Sequence, residues 1–399
     1  MMGGRTKSLK TLHVTGTFPI PPLGGMEMVT YCLPIELARQ DFQVRVVCGT
    51  SMPRLEVIDG AQFIGLRSIR LSNWIWVPTP EAYHELNRLI EWADIVHIHN
   101  PAESIPLFAG WRSINTGKRT FFSILFSGML RKHPRLLFRA LGSIDELLVS
   151  NLLRRATRVQ VKNVIDRERV SAITDRVCYI PDGIEKAIFE APPDRESFLR
   201  GRNLLGRSPI LLYLGRIHPY KGPSDFIEAA KFLQSSYPGL LGIIAGTGPT
   251  AEIARLRDLI HANLIGNVIY LAGSLTPQEK IAALDAADVV VVPSRSEFVE
   301  GFSIVSSEAW GRKRPVAAYP VGALKARVKN GINGFLAEDV SPRSLAEAIR
   351  KSLTITLEDI PEEVVPWSEI AKRVGDVYRE MQSHPSSAAP DVLTKDDRT

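Results

Sequence analysis

Residues 289–311 read VVVVPSRSEFVEGFSIVSSEAWG. Four consecutive valines without alternation suit a strand buried on both faces, as in a parallel sheet covered by helices. Pro293 ends that strand. Residues 294–301 form the following loop, and Ser303–Trp310 opens a helix with Ile304, Ser307, Glu308 and Gly311 on consecutive turns. Strand, loop and helix in this order make half of a βαβ unit. The N-terminus of the helix then lies at the carboxyl end of the sheet, where its free N–H groups attract an anion.

The alternation continues in both directions. Pro315–Ala318 and Gly334–Leu336 predict closing strands. Upstream, strands are expected at Ile210–Leu214, Gly242–Ala245 and Val268–Leu271, with helices at Ser224–Leu233 and Ile281–Ala287. The first half repeats the pattern. Its strands are Thr11–Thr15, Gln43–Cys48, Asp94–His99 and Thr120–Leu125, and its helices are Met28–Arg39 and Leu136–Leu153. Each half is therefore predicted to be a doubly wound, Rossmann-like α/β sheet, with a ligand in the cleft where the two face each other. A length of 399 residues fits two such domains. The Pro-rich, charged stretch EAPPDRESFLRGRNLLGR at 190–207 marks their boundary. We therefore expect an N-terminal domain 1–190, a C-terminal domain 191–365, a helix 366–382 and a polar, disordered tail 383–399.

Apolar residues make up 45% of the chain and charged residues 23%, the balance of a soluble globular protein. No apolar run reaches the roughly 18 residues of a membrane-spanning helix. The basic N-terminus lacks the apolar core of a secretory signal. Three cysteines without metal-ligand spacing predict reduced thiols in a cytoplasmic protein. The net charge of +6 is unevenly spread. Residues 1–190 carry 24 Lys/Arg against 18 Asp/Glu, and the remainder carries 25 against 25. Seven basic and two acidic residues fall in Arg131–Arg158. A solvated helix face accounts for such a run as well as an anionic lipid surface or an anionic acceptor does. Nucleic acid is not expected, since no recognition motif or interleaved aromatic pattern is present.

Glu300 and Glu308 flank the predicted helix start. Eight residues of helix span about 12 Å, more than the roughly 5–9.5 Å between the acid and base of a glycoside-cleaving pair. Between them lie the N–H groups of Gly301, Phe302 and Ser303. An anion in the middle, with hydroxyl-bearing groups at both ends, describes a nucleotide sugar. Glu300 would accept from the sugar and Glu308 from the ribose; chance spacing is the competing explanation. Within ILLYLGRIHPYKG (210–222), Arg216 and Lys221 follow a strand end and can clamp a diphosphate. Singly, each reads equally as a surface charge. Gly246 and Gly248, after the strand GIIA, permit a close backbone approach, as do Gly24 and Gly25 before the first helix.

The segments GGMEM, DIVHIH, IPDGI, YLGRIHPYKG, IAGTGP, LAGSLTPQEKIAALDAADVVVVPSRSEFVEGFSIVSSEAWG and NGINGFL together resemble family 4 of the retaining GT-B-fold glycosyltransferases. The resemblance runs over about residues 10–380. The stretch PWSEIAKRVGDVYREM, from Pro366, is similar to the family's closing helix, which crosses back to the first domain. The resemblance implies that Arg216 and Lys221 neutralise the donor diphosphate. It makes Glu300 the first glutamate of an E-x7-E motif beside the donor sugar, and Glu308 the second, on the ribose. It gives Gly301, Phe302 and Ser303 the backbone contacts to sugar and phosphate, Gly24 and Gly25 the first-domain glycine loop, and Gly246 and Gly273–Leu275 the base-binding region. Ser127, followed by Gly128, stands where the family often has a sugar-orienting histidine. His97 and His99, on the preceding strand, read as structural. The donor implied is a UDP- or GDP-linked sugar, with no metal or other cofactor. The acceptor implied is a saccharide or lipid-linked saccharide, in cell-surface polysaccharide or lipopolysaccharide synthesis. Two alternatives stay open at this point. One is a nucleotide-sugar epimerase of the same architecture, which needs two carboxylates close together. The other is a non-catalytic sugar-binding module, motivated by Ser127.

Overall fold

The computed structural model describes residues 8–22, 24–71, 75–124, 136–296 and 300–383, with the backbone alone for 136–145. Ser127, Gly128, Arg131, Lys132, Arg135 and the polar tail from residue 384 lie outside the described residues. The chain forms two compact units. The first takes in the chain up to Lys162, Asp166–Ile180 and the part from Ser368; the second takes in Asn163–Ile165 and Pro181–Trp367. Apart from Asn163–Ile165, the second unit runs from Pro181, ten residues ahead of the boundary expected at 191. Ile184 and Ile188 are buried in its core, and apolar burial outweighs the composition shift at 190–207.

The strands of the first unit are β1 (Lys10–Val14), β2 (Gln43–Thr50), β3 (Arg54–Ile58), β4 (Ala61–Arg70), β5 (Trp76–Pro78), β6 (Ile95–His99), β7 (Arg119–Ser123), β8 (Arg158–Val161) and β9 (Val177–Tyr179). They form one sheet in the order β3-β4-β2-β1-β6-β7-β8-β9, with β5 paired to β4. Pairing is parallel except at β3–β4 and β4–β5. The helices Gly25–Ala38, Pro80–Trp92 and Ser104–Asn115 return the chain between parallel strands. Leu86 and Ile105, from the second and third of these helices, pack in a core with Leu12, Val47, Val96, Ile98, Phe122 and Val159.

The helix Trp367–Ser383 belongs to the first unit from Ser368 onward. Gln40 Nε2 donates to Ser368 O at 3.0 Å, and Arg119 Nε donates to Met381 O at 2.7 Å. The buried Tyr378 hydroxyl shares a 2.6 Å hydrogen bond with His97 Nδ1, and His97 Nε2 meets Ser123 Oγ at 2.5 Å. His13, His97 and His99 form a buried stack, with 3.9 Å between the ring centroids of His97 and His99. Burial holds all three imidazoles neutral, taking His13 down to about 3. Their ligand atoms lie within 4.8 Å of one another. His13 Nδ1 and His99 Nε2 share a 3.0 Å hydrogen bond, so the three rings form one packed and hydrogen-bonded cluster. Tyr378→Phe is expected to strand the buried His97 nitrogen and destabilise the first unit by about 1–3 kcal/mol. Urea unfolding of the two proteins measures this directly.

Glu103, at the start of the helix Ser104–Asn115, is another buried ionisable group. Burial pushes it up to about 7, against a hydrogen bond from Asn100 Nδ2 at 2.9 Å. A Cβ on Gly16 would fall 1.1 Å from its Oε2, so only glycine fits there. In this pH range the folded chain keeps a proton that the unfolded chain releases. Stability is therefore lost as pH rises from the ordinary glutamate range to about 7. Glu103→Gln should remove that loss. The melting-temperature difference between variant and wild type should grow in favour of the variant between about pH 5 and about pH 8.

The second unit holds β10 (Ile210–Leu214), β11 (Leu241–Ala245), β12 (Ile269–Gly273), β13 (Val289–Val292), β14 (Val316–Ala318) and β15 (Gly334–Leu336). All pair in parallel, in the order β12-β11-β10-β13-β14-β15. This is the strand order of a Rossmann sheet, with its switch point between β10 and β13. All four valines of β13 are buried. Trp310, fully buried, anchors the helix Ile304–Gly311 by donating from Nε1 to Asn333 O at 2.9 Å.

Candidate functional site

The loops after β10 and β13 meet at the switch point, the place where an open α/β sheet binds its ligand. After β10 the chain passes Arg216, makes a single 3-10 turn Pro219–Lys221, and enters the helix Pro223–Gln234 through Gly222. Gly222 has φ of +68°, and a Cβ there would fall 2.0 Å from Pro293 O, at the end of β13. Glycine is required at this crossing, and the crossing brings Lys221 to the β13 loop. Lys221 Nζ donates to Glu300 Oε1 at 2.5 Å. Ser294 Oγ donates to the same oxygen at 2.5 Å. The Glu300 side chain is only 3% exposed and that of Lys221 22%, so the pair is shielded but open on the lysine side.

Beyond Glu300 the loop turns into the helix Ile304–Gly311. Ser303 caps it in the left-handed region, at φ +69°, an uncommon conformation for a residue other than glycine. Arg327 holds this strained cap in place. Its guanidinium donates to Phe302 O, to Ser303 O at 3.0 Å and to Ser307 Oγ at 2.7 Å, and its Nε pairs with Glu363 at 2.7 Å. The Phe302 ring lies 3.7 Å under the guanidinium, and Asn163 Nδ2 donates to Gly301 O at 2.7 Å. The carbonyls of Gly301, Phe302 and Ser303 are thus all engaged, which fixes the direction of the first-turn N–H groups. Those groups have no intrahelical partner and carry the positive end of the helix dipole.

Glu308 lies one helical stretch further on, with its side chain 6% exposed. Lys280 Nζ, from the helix Pro277–Ala286, reaches Glu308 Oε1 at 2.6 Å and Glu185 Oε2 at 2.5 Å. Burial opposes the charge on Lys280, but the carboxylates of Glu308 and Glu185 outweigh it and hold the ammonium well above its ordinary value. Glu300 and Glu308 therefore each have a lysine partner. They are held by different lysines and not by each other, while Lys280 brings Glu185 beside Glu308.

Arg216 is exposed just past β10, and its carbonyl accepts from the Tyr213 hydroxyl at 2.7 Å. Gly246, after β11, has φ of +146°, and a Cβ there would fall 1.8 Å from Gly215 O; the two loops lie against each other. Leu275 is partly buried against the core of this unit. The arrangement brings Lys221, Glu300, Gly301, Phe302 and Ser303 together, with Glu308 on the same helix. Gly24 and Gly25 are in the first unit, as N-cap and first residue of the helix Gly25–Ala38. Ser294, Arg327, Lys280 and Asn163 are not singled out by the sequence. Ser294 alone had a local signal, as the first residue past the valine strand.

The fold and the switch-point site define a two-unit α/β protein of the GT-B type. A family model for Glycosyl transferases group 1 matches residues 194–372, and one for Glycosyltransferase Family 4 matches residues 23–186. The chain belongs to this glycosyltransferase family. It is 30% identical over 223 residues, 54% of its length, to the D-inositol 3-phosphate glycosyltransferase of Acidothermus cellulolyticus. That match spans about half of the relative, 48%. The fold is similar to that of sucrose-phosphate synthase from Thermosynechococcus elongatus, with a TM-score of 0.76 at 20% identity over 94% of this chain and 99% of that one. It is also similar to Anabaena HepE in complex with UDP-glucose, with a TM-score of 0.70 at 16% identity over 93% and 100%.

Proposed function

We propose that the chain transfers a sugar from a nucleoside-diphosphate donor, UDP- or GDP-linked, to a saccharide or lipid-linked acceptor, with retention of anomeric configuration. The observation that carries this reading is the helix start at Gly301–Ser303, held between the Lys221–Glu300 pair and the Lys280–Glu308 pair. The diphosphate would sit on the first-turn N–H groups, with Lys221 and Arg216 stabilising charge on the departing phosphate. Glu300 would hold the donor sugar and Glu308 the ribose. The UDP-glucose complex of HepE, a protein of this fold, supports a nucleotide sugar as the ligand. No step in this scheme calls for a metal, and the site residues would bind the donor without one.

No helix among the described residues is long and apolar enough to cross a membrane. The setting we propose is cytoplasmic, with peripheral attachment to an anionic membrane surface and a place in cell-surface polysaccharide or lipopolysaccharide assembly. The excess of basic residues in 1–190, concentrated at Arg131–Arg158, supports it. Ser127 and Gly128, outside the described residues, would orient the donor sugar.

A thermal-shift screen of UDP-, GDP- and ADP-sugars tests the donor assignment. One of the first two should raise the melting temperature in a concentration-dependent way. No shift with any nucleotide sugar would leave a binding protein of other specificity.

A further inference from the structure

The ribbon made by β4 and β5 carries four large aliphatic side chains that the fold leaves in water. Ile69 and Val77 are direct cross-strand partners, and Leu71 N–H donates to Ile75 O at 2.9 Å in the next pair. Alternate residues of a strand share a face, so Ile69, Leu71, Ile75 and Val77 all point the same way. They are 61%, 67%, 46% and 44% exposed. The orientation of the ribbon is fixed from behind. Ser104 Oγ donates to Trp76 O at 2.8 Å and accepts from Trp76 N–H at 2.9 Å, while Ser68 is buried. The ribbon cannot roll over to bury its aliphatic face without breaking those bonds.

Polarity is graded along the ribbon. Arg67 is exposed on the same face as Ile69, one cross-strand pair further from the turn, where Thr79 N–H donates to Arg67 O at 3.1 Å. Arg70 lies over the Trp76 ring at 5.5 Å. Glu81 is an acidic neighbour of Arg67. Arg67 and Arg70 of β4 precede Leu71, in the half of the chain that holds all of the positive excess. Aliphatic groups entering the acyl boundary while cations stay at the headgroups is the arrangement of an interfacial anchor.

We infer that the β4–β5 ribbon is a membrane-insertion element, seating Ile69, Leu71, Ile75 and Val77 in the interface of a bilayer with anionic headgroups. This concerns attachment alone, so it can fail while donor binding stands, and the reverse. The full-length chain is sedimented with phosphatidylcholine vesicles with and without phosphatidylglycerol. Wild type should bind the anionic vesicles and much less the neutral ones. Leu71→Asn with Ile75→Asn should weaken binding by about tenfold or more, since two aliphatic groups no longer enter the interface. Its melting temperature should be unchanged, because both positions face water. Arg67→Gln with Arg70→Gln should reduce the preference for anionic over neutral vesicles. Wild type that fails to sediment with either vesicle, or a Leu71/Ile75 variant that sediments as wild type does, overturns the inference. Concentration-dependent dimerisation lost in the aliphatic variant, without vesicle binding, would assign the ribbon to a second copy of the chain instead.

Discussion

Lys221→Ala is expected to lower sugar transfer by tenfold or more and to weaken donor binding at the same time. A charge-assisted hydrogen bond is worth about 1.5–3 kcal/mol, and Lys221 would lose one to the diphosphate. A second loss adds to it. The Glu300 carboxylate, 3% exposed, would keep the Ser294 hydroxyl as a donor at 2.5 Å but lose its cation. A buried carboxylate stripped of its cation costs about 3–5 kcal/mol, so the variant should also melt at a lower temperature. Lys221→Ala with Glu300→Gln should recover the melting temperature without recovering transfer, because the stranded charge is gone but the phosphate contact is not. Arg216→Ala should reduce transfer with no effect on melting, since Arg216 is exposed. Unchanged nucleotide affinity in both the Lys221 and Arg216 variants would refute the diphosphate assignment.

The two glutamates are expected to divide by ligand part. Glu308→Ala should weaken binding of the bare nucleoside diphosphate by roughly tenfold or more, the loss of one charged acceptor to ribose hydroxyls. Glu300→Ala should leave bare nucleoside-diphosphate binding nearly intact and depress turnover of the nucleotide sugar. The structure adds a condition that the spacing of the glutamates does not suggest. Lys280 bridges Glu308 and Glu185, so Lys280→Met would leave two carboxylates facing each other and should imitate Glu308→Ala in nucleotide binding. Titration calorimetry with UDP and GDP on the three variants distinguishes these outcomes. Identical profiles for the Glu300 and Glu308 variants would show that the helix start does not separate sugar from ribose.

The centre of each sheet was legible because buried parallel strands leave unbroken apolar runs. Val289–Val292 and Ile210–Leu214 are such runs, and the structure places both strands at the switch point. The edge of the first sheet was not legible. β3 turns its apolar Leu55 and Val57 to water, and β5 is three residues long, so neither presents the buried apolar face that marks a strand. β9, also three residues long, escaped for the same reason. At the site, Glu300, Lys221 and the helix start were readable because they lie next to the strands that position them. Arg327 and Lys280 were not. Each acts on the β13 loop or its helix from more than twenty residues away in sequence, and on its own element reads as an ordinary helical cation. Only the fold brings Arg327 under the Ser303 cap and Lys280 beside Glu308.

The central claim is that the start of the helix Ile304–Gly311 holds the donor diphosphate. A crystal structure of the chain with bound UDP, or with UDP-glucose, tests it most directly. The diphosphate oxygens should lie within hydrogen-bond distance of the backbone N–H groups of residues 301–304, with Lys221 or Arg216 on the phosphate and Glu308 on the ribose hydroxyls. A nucleotide whose diphosphate sits away from that helix start, with Glu308 still held only by Lys280, would contradict the account.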